Sequence, residues 1–173
     1  MTQNGLKDSP GGLQDTPAVA DGVVYAATWD DGLLALDAAT GQKKWQYAAG
    51  STILDAPAVA YGTVYITNNG SLVALDATTG QEKWSVGDGN GDFTVTAPFI
   101  AGHVIYFTST GFTSLPFLFV AQPDKGGYIY AVGAETGKQL WRYKVESRIT
   151  YSPAIFDGAL YYGDEDGYLH ALR

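Results

Sequence analysis

Residues 35–45 read ALDAATGQKKW, and residues 74–84 read ALDATTGQEKW. Two near-copies of one phrase in a chain of 173 residues make internal repetition the first property to test, because a fixed period of about 20 to 50 residues decides the fold before any local reading does. Outward from the two phrases the repetition continues. Pro17 opens PAVADGVVYA, Pro57 opens PAVAYGTVYI, Pro98 opens PFIAGHVIYF and Pro153 opens PAIFDGALYY, so that Tyr25, Tyr65, Tyr106 and Tyr161 each follow their proline by eight positions. A glycine turn and a second apolar alternation come next, as GLLALD, GSLVALD, GYIYAVG and GYLHALR. Three copies then reach a Thr-Gly pair and a tryptophan: Gly41 with Trp45, Gly80 with Trp84, Gly137 with Trp141. The fourth stops at Arg173 before that point.

Within each unit the apolar residues alternate in short runs rich in Val, Ile and Tyr, bounded by glycine turns, which is the pattern of strands half-buried on one face. The Ala-rich phrase itself is open to a helical reading, but Thr-Gly in its middle and the alternation before it favour strand, tight turn, strand. Each unit reads as four antiparallel strands, with the tryptophan on the last. Four-stranded units at a period of about 40 residues describe an all-β β-propeller, here four blades with the last incomplete. Residues 1–14 read as an N-terminal tail and 15–173 as the repeat domain.

The two phrases match, position for position, the Ala-x-Asp-x-x-x-Gly-x-x-x-Trp docking motif of the PQQ-like (pyrroloquinoline quinone) repeat β-propellers, and the chain resembles that family from Gly12 onward. The resemblance implies that Trp45, Trp84 and Trp141 wedge between neighbouring blades. The third copy, AVGAETGKQLW, has Gly133 where the motif has Asp, which removes a turn hydrogen bond. The resemblance also implies a periplasmic or extracellular protein; no secretion signal is legible in the polar start MTQNGLKDSP, and a cytoplasmic one stays open.

Composition narrows the partners. With 46% hydrophobic and 16% charged residues the chain is globular, and at this length it buries roughly two-thirds of its unfolded surface. A formal charge of −8 repels nucleic acid and anionic lipid. The absence of cysteine removes disulfides, thiolate nucleophiles and Cys-ligated metals. No apolar run reaches the length of about 18 residues that a membrane helix needs.

Departures from the repeat locate candidate function, because insertions fall on loops. Trp45 and Trp141 each precede the next proline by twelve positions, but Trp84 precedes Pro98 by fourteen, with the surplus in VGDGNGDF. After Tyr106 a longer insert, FTSTGFTSLPFLFVAQPDKG, delays the next glycine turn. In a meandering blade both links leave by the same face. Asp88, Asn90 and Asp92 alternate like the first half of a calcium loop, yet Phe93 stands at the glycine of such a loop and Phe99 at its bidentate glutamate, and a solvated acidic turn is the plainer reading. The turns at Asp30-Asp31 and Asp164-Glu165-Asp166 read as facing water. Phe112, Leu115, Phe117, Leu118, Phe119 and Val120 form an apolar run that is either a partner or ligand surface or a flap folded over the third blade. Trp29, without counterpart in other copies, and Arg148, in the link to the fourth blade, share this face. His103 and His170 fit no metal or triad spacing.

Three functions remain in view. A PQQ-dependent alcohol dehydrogenase, whole or as a diverged fragment, is what the enzymes of the resembled family imply, with the quinone and calcium as cofactors. Against it, Gln14 stands where those enzymes have a glutamate, and the Cys pair that covers the quinone in many of them is impossible. A non-catalytic scaffold needs no cofactor and only a stable ring with a distinctive face that binds a protein or ligand. Closure adds a third element: an open stack exposes apolar blade faces, so the expectation is a homodimer forming a pseudo-eight-bladed ring, with a self-closed four-bladed monomer as the competing architecture.

Overall fold

The computed structural model describes residues 12–13, 15–29, 31–50, 53, 55–68, 70–87, 93–111, 113–115, 118–120, 126–149 and 151–173. It is all-β among those residues. The first blade is β1 (Ala18–Ala20), β2 (Val23–Thr28), β3 (Gly32–Asp37) and β4 (Lys43–Tyr47) in that spatial order. The second repeats it with β5 (Ala58–Ala60), β6 (Thr63–Asn68), β7 (Ser71–Asp76) and β8 (Glu82–Gly87). Each tyrosine of the repeat stands opposite the alanine of the next strand, Tyr25 to Ala35 and Tyr65 to Ala74, and a bulge just after that alanine interrupts the pairing with the tryptophan strand. Asp21-Gly22 and Tyr61-Gly62 close the first hairpins with positive φ at both residues, the turn whose twist matches that of the flanking strands. Tyr61 is bulky for that conformation; its hydroxyl donates to Gly102 O at 2.8 Å and its ring stacks on His103, so a contact with the next blade offsets the local cost.

The third blade departs from the plan. After β9 (Phe93–Val95) come β10 (Phe99–Ala101) and a long β11 (Val104–Gly111), which pairs with β10 and with β9 further along. The insert forms its own hairpin, β12 (Thr113–Leu115) with β13 (Leu118–Val120), and is strand where a surface loop was expected. β14 (Tyr128–Gly133) and β15 (Gln139–Lys144) complete the blade. The fourth blade has three strands, β16 (Ala154–Phe156), β17 (Ala159–Gly163) and β18 (Leu169–Leu172).

Core clusters lie between consecutive blades. Tyr25, Ala27, Leu33 and Ala35 of the first blade meet Val64, Ile66, Val73 and Leu75 of the second, and Tyr65, Leu72 and Ala74 of the second meet Ile105, Phe107 and Val132 of the third. Ile129 and Val145 meet Leu160 and Tyr162 of the fourth. Single blades are too thin to bury two faces, and stacking makes the core continuous.

The expected wedge is present at two joints. The Trp45 indole N–H donates to Ala77 O at 3.0 Å, a carbonyl that also accepts from the Tyr25 hydroxyl at 3.2 Å, and the ring lies on Gly80, where a Cβ would sit 2.6 Å from Trp45 Cε3. Trp84 lies on Gly137 with the same 2.6 Å clearance. Its indole N–H is buried without a hydrogen-bond partner, while the Tyr65 hydroxyl donates to Ala134 O at 3.1 Å. The Gly133 departure is visible beside it. Asp37 and Asp76 each accept two backbone N–H groups and a Thr hydroxyl within their turns, whereas the Gly133 turn rests on backbone bonds from Gly137 and Thr136. Trp141 differs: it is 40% exposed, touching Tyr106 at 5.9 Å between ring centroids.

Candidate functional site

The links from second to third strand and from blade to blade leave by one face, and the residues two before each proline sit there at the start of the innermost strands. In order these are Asp15, Asp55, Thr96 and Tyr151. In the second blade Thr67 Oγ1 donates to Asp55 Oδ2 at 3.0 Å. In the third the same two positions are both threonines, with Thr108 Oγ1 3.1 Å from Thr96 Oγ1 and the Thr108 N–H donating to Thr96 Oγ1 at 3.2 Å. Burial pushes the Asp55 carboxyl above its ordinary range; the Thr67 hydrogen bond opposes this and the charge of Asp15 adds to it. Tyr151 is open to solvent, and Ser152 beside it donates to Ala97 O at 2.8 Å, tying the fourth blade to the third.

Sequence reasoning alone does not single out this inner row. Its signal is Asp-x-Pro at Asp15-Thr16-Pro17 and Asp55-Ala56-Pro57, shared by two copies only and so weaker than the prolines and tyrosines that all four copies share.

Around this row the singled-out residues are scattered. Trp29 is 55% exposed at the end of β2, its backbone N–H reaching Gly12 O at 3.4 Å. Arg148 lies on the same face but toward the fourth blade, with its guanidinium 3.8 Å from the Glu165 carboxylate and its carbonyl accepting the Glu165 N–H. Phe93 is in β9 opposite Gly111, and Phe119 is in β13 opposite Ser114. Asp88, Asn90, Asp92, Phe112 and Phe117 lie outside the described residues.

The acidic turn of the fourth blade is only partly solvated. The Asp164 side chain is 7% exposed, binds the His170 ring at 2.7 Å and accepts the Tyr168 N–H at 2.9 Å, while His170 stacks on Tyr162. The His170 and Tyr168 hydrogen bonds hold the Asp164 carboxyl below its ordinary range. Asp164 directly follows β17, in the position that Thr28 and Asn68 hold at the ends of β2 and β6 and Ser109 holds within β11, and of these Thr28 and Ser109 are buried.

Chemically the face can accept hydrogen bonds at Asp15 and Asp55 and present an indole at Trp29. Among the described residues no three of His, Cys, Asp and Glu gather as a metal cage. No helix of the described residues is long and apolar enough to cross a membrane.

Comparison with known proteins agrees with the geometry. A family model described as outer membrane protein assembly factor BamB matches residues 3–112 and 108–173. No curated protein sequence matches. Among solved structures, BamB from Moraxella catarrhalis is 20% identical with a TM-score of 0.71, over 92% of this chain and 49% of that one. The quinohemoprotein alcohol dehydrogenase ADHIIG from Pseudomonas putida HK5 is 27% identical with a TM-score of 0.69, over 91% of this chain and 29% of that one. The computationally designed Ika4 protein is 18% identical with a TM-score of 0.75, over 99% of this chain and 98% of that one. The chain thus spans about half of the BamB structure and under a third of the dehydrogenase. Repeated blades joined by tryptophan on glycine, under a family model that runs almost from end to end, place the chain in the PQQ-like repeat β-propeller family.

Proposed function

We propose that the chain is a non-catalytic propeller that acts as a protein- or ligand-binding scaffold and completes its ring by pairing with a second copy, in a periplasmic or extracellular setting. One observation carries this reading. Ala35, Ala74 and Ala131, which oppose the repeat tyrosines in the first three blades, are each 0% exposed, whereas the fourth-blade equivalent Ala171 is exposed, along with Phe156 at 74% and Leu169 at 77%. That blade turns outward the face its predecessors bury. An apolar face of this kind is a binding surface or a liability, and pairing of copies removes it. Light scattering at micromolar and nanomolar concentration tests the pairing: a dimer that Leu169→Glu converts to a monomer is expected, and a chain that stays monomeric and folded at both concentrations refutes it in favour of a four-bladed ring closed within one chain.

A second reading, a diverged PQQ-dependent alcohol dehydrogenase or a piece of one, draws on the higher identity to the dehydrogenase than to BamB, 27% against 20%. Calorimetry with the quinone and calcium, followed by dye reduction with simple alcohols, decides it: heat of binding with turnover supports the enzyme, and their absence at saturating quinone removes it.

A further inference from the structure

The two joints in which a tryptophan is seated are bonded unequally. Across the first, the Trp45 indole N–H and the Tyr25 hydroxyl both donate to Ala77 O, and the Tyr47 hydroxyl donates to Glu82 Oε2 at 3.1 Å. Asn68 Nδ2 of the second blade donates back to Ala49 O, just beyond β4, at 2.8 Å. Across the second joint the tyrosine bond recurs, from Tyr65 to Ala134 O, but the rest do not. The Trp84 N–H is buried without a partner, Val86 stands in the place of Tyr47 with nothing to donate, and Ser109 stands in the place of Asn68.

Ser109 Oγ, like Trp84 Nε1, is a buried side-chain atom with no hydrogen-bond partner. The residue is 4% exposed and lies on the face of β11 that Ile105 and Phe107 turn toward the second blade. Both orphaned groups thus belong to one joint, and each gains a hydrogen bond to water when that joint parts. The receiving turn is looser as well. Asp76 holds the N–H groups of Thr78 and Thr79 and the Thr79 hydroxyl, whereas Gly133 offers no side chain, although a Cβ there would stand 3.2 Å from Thr136 Oγ1. The bond that the second joint has and the first lacks, from the Tyr61 hydroxyl to Gly102 O, is made by exposed residues, where water competes with it.

We propose that the joint between the second and third blades is a hinge, at which the chain parts into a pair of blades on either side while the strand pairing within each blade stays intact. Parting bares Tyr65, Leu72, Ile105 and Phe107, which the closed form buries, so the open form is a minor state that lies below global unfolding in cost. The hinge does not depend on the scaffold reading, which needs no motion.

The chain has no cysteine, so one introduced thiol reports one joint. Ala35→Cys and Ala74→Cys fall at equivalent positions, each 0% exposed, in the first and second joints respectively. Reaction of each thiol with a water-soluble disulfide reagent is followed in the full chain without urea and in low urea, and each rate is set against that variant's own global unfolding. The thiol at position 74 is expected to react at least about tenfold faster than that at position 35, with a shallower dependence on urea. Gly133→Asp, which restores the carboxylate of the other turns, should slow position 74 severalfold and leave position 35 unchanged. Equal relative rates, or a rate at position 74 that tracks global unfolding through the urea series, overturns the hinge. So does a Gly133→Asp chain in which both positions slow alike or neither does. Where Ala74→Cys fails to fold, Val73→Cys in the first joint and Val132→Cys in the second repeat the comparison with volume removed instead of added.

Discussion

Gly80→Ala and Gly41→Ala place the same methyl in the same turn of two successive blades, and the structure assigns them different costs. Both glycines hold left-handed backbone, φ +72° and +73°. For an L-residue that conformation costs about 1–2 kcal/mol. At Gly41 nothing lies within 4 Å of the new carbon, so the backbone term is the whole effect. At Gly80 the carbon would sit 2.6 Å from Trp45 Cε3 and 2.7 Å from Cδ2, and the indole must leave its seat. With it go the bond to Ala77 O, worth about 1 kcal/mol, and the packing of Trp45 on Tyr25, worth about 0.5–1.5 kcal/mol. Gly80→Ala is therefore expected to cost about 3–4 kcal/mol, some 2 kcal/mol more than Gly41→Ala, which for a domain of this size separates their melting temperatures by about 4–8 °C. Thermal unfolding by circular dichroism and urea unfolding by tryptophan emission both read it. Equal destabilisation by the two substitutions would refute the view that the glycine is there to seat the tryptophan.

Trp45→Phe should destabilise more than Trp84→Phe, because the first removes a hydrogen bond to Ala77 O and the second removes a buried N–H that has no partner; urea midpoints of the two variants decide the order. Asp37 and Asp76 have lowered carboxyl pKa values, chiefly through the backbone N–H groups of Thr40 and Thr79, so their contribution is complete above the unfolded value of about 3.9 and disappears as pH falls through the folded value. A urea series across the acid range should show stability falling there, and less steeply in the Asp37→Asn, Asp76→Asn double variant. Asp55 works in the opposite sense: its raised pKa means that ionisation at neutral pH disfavours the fold, so Asp55→Asn, which keeps an acceptor for Thr67, should stabilise at pH 7 and lose that advantage below about pH 4. Unchanged stability of Asp55→Asn at both pH values would refute the burial of that carboxyl.

Much of the fold was legible because it rests on a period. Tyr25 and Tyr65, Trp45 and Trp84, and the turn glycines recur at fixed spacing; both tyrosine hydroxyls reach a turn carbonyl of the next blade, and both indoles lie on that blade's turn glycine. What broke the period was harder to read. The insert after Tyr106 is rich in Thr, Ser and Phe, which suit a surface flap and a strand equally; only its pairing of Thr113–Leu115 with Leu118–Val120 distinguishes them. Asp164 reads as one of three solvated acids, and its burial depends on His170, six residues further on and placed beneath it by the hairpin. Trp141 shared its motif with two wedged tryptophans but not their setting, since a motif specifies only one half of a joint. Asp55 failed to stand out for a different reason: its partner Thr67 belongs to another strand, and the pair exists only once the two strands lie side by side.

The reach from Trp45 to Gly80 has a consequence for how the protein is made. The strands of a blade follow one another in the chain, yet Trp45 is seated by a glycine 35 residues downstream and Trp84 by one 53 residues downstream. On a ribosome adding about 5–20 residues per second, those turns arrive roughly 2–11 s late. A stall before Gly80 and a stall before Gly137 therefore leave different indoles unseated, so nascent chains halted at the two points should differ in which tryptophan a quencher in solution can reach.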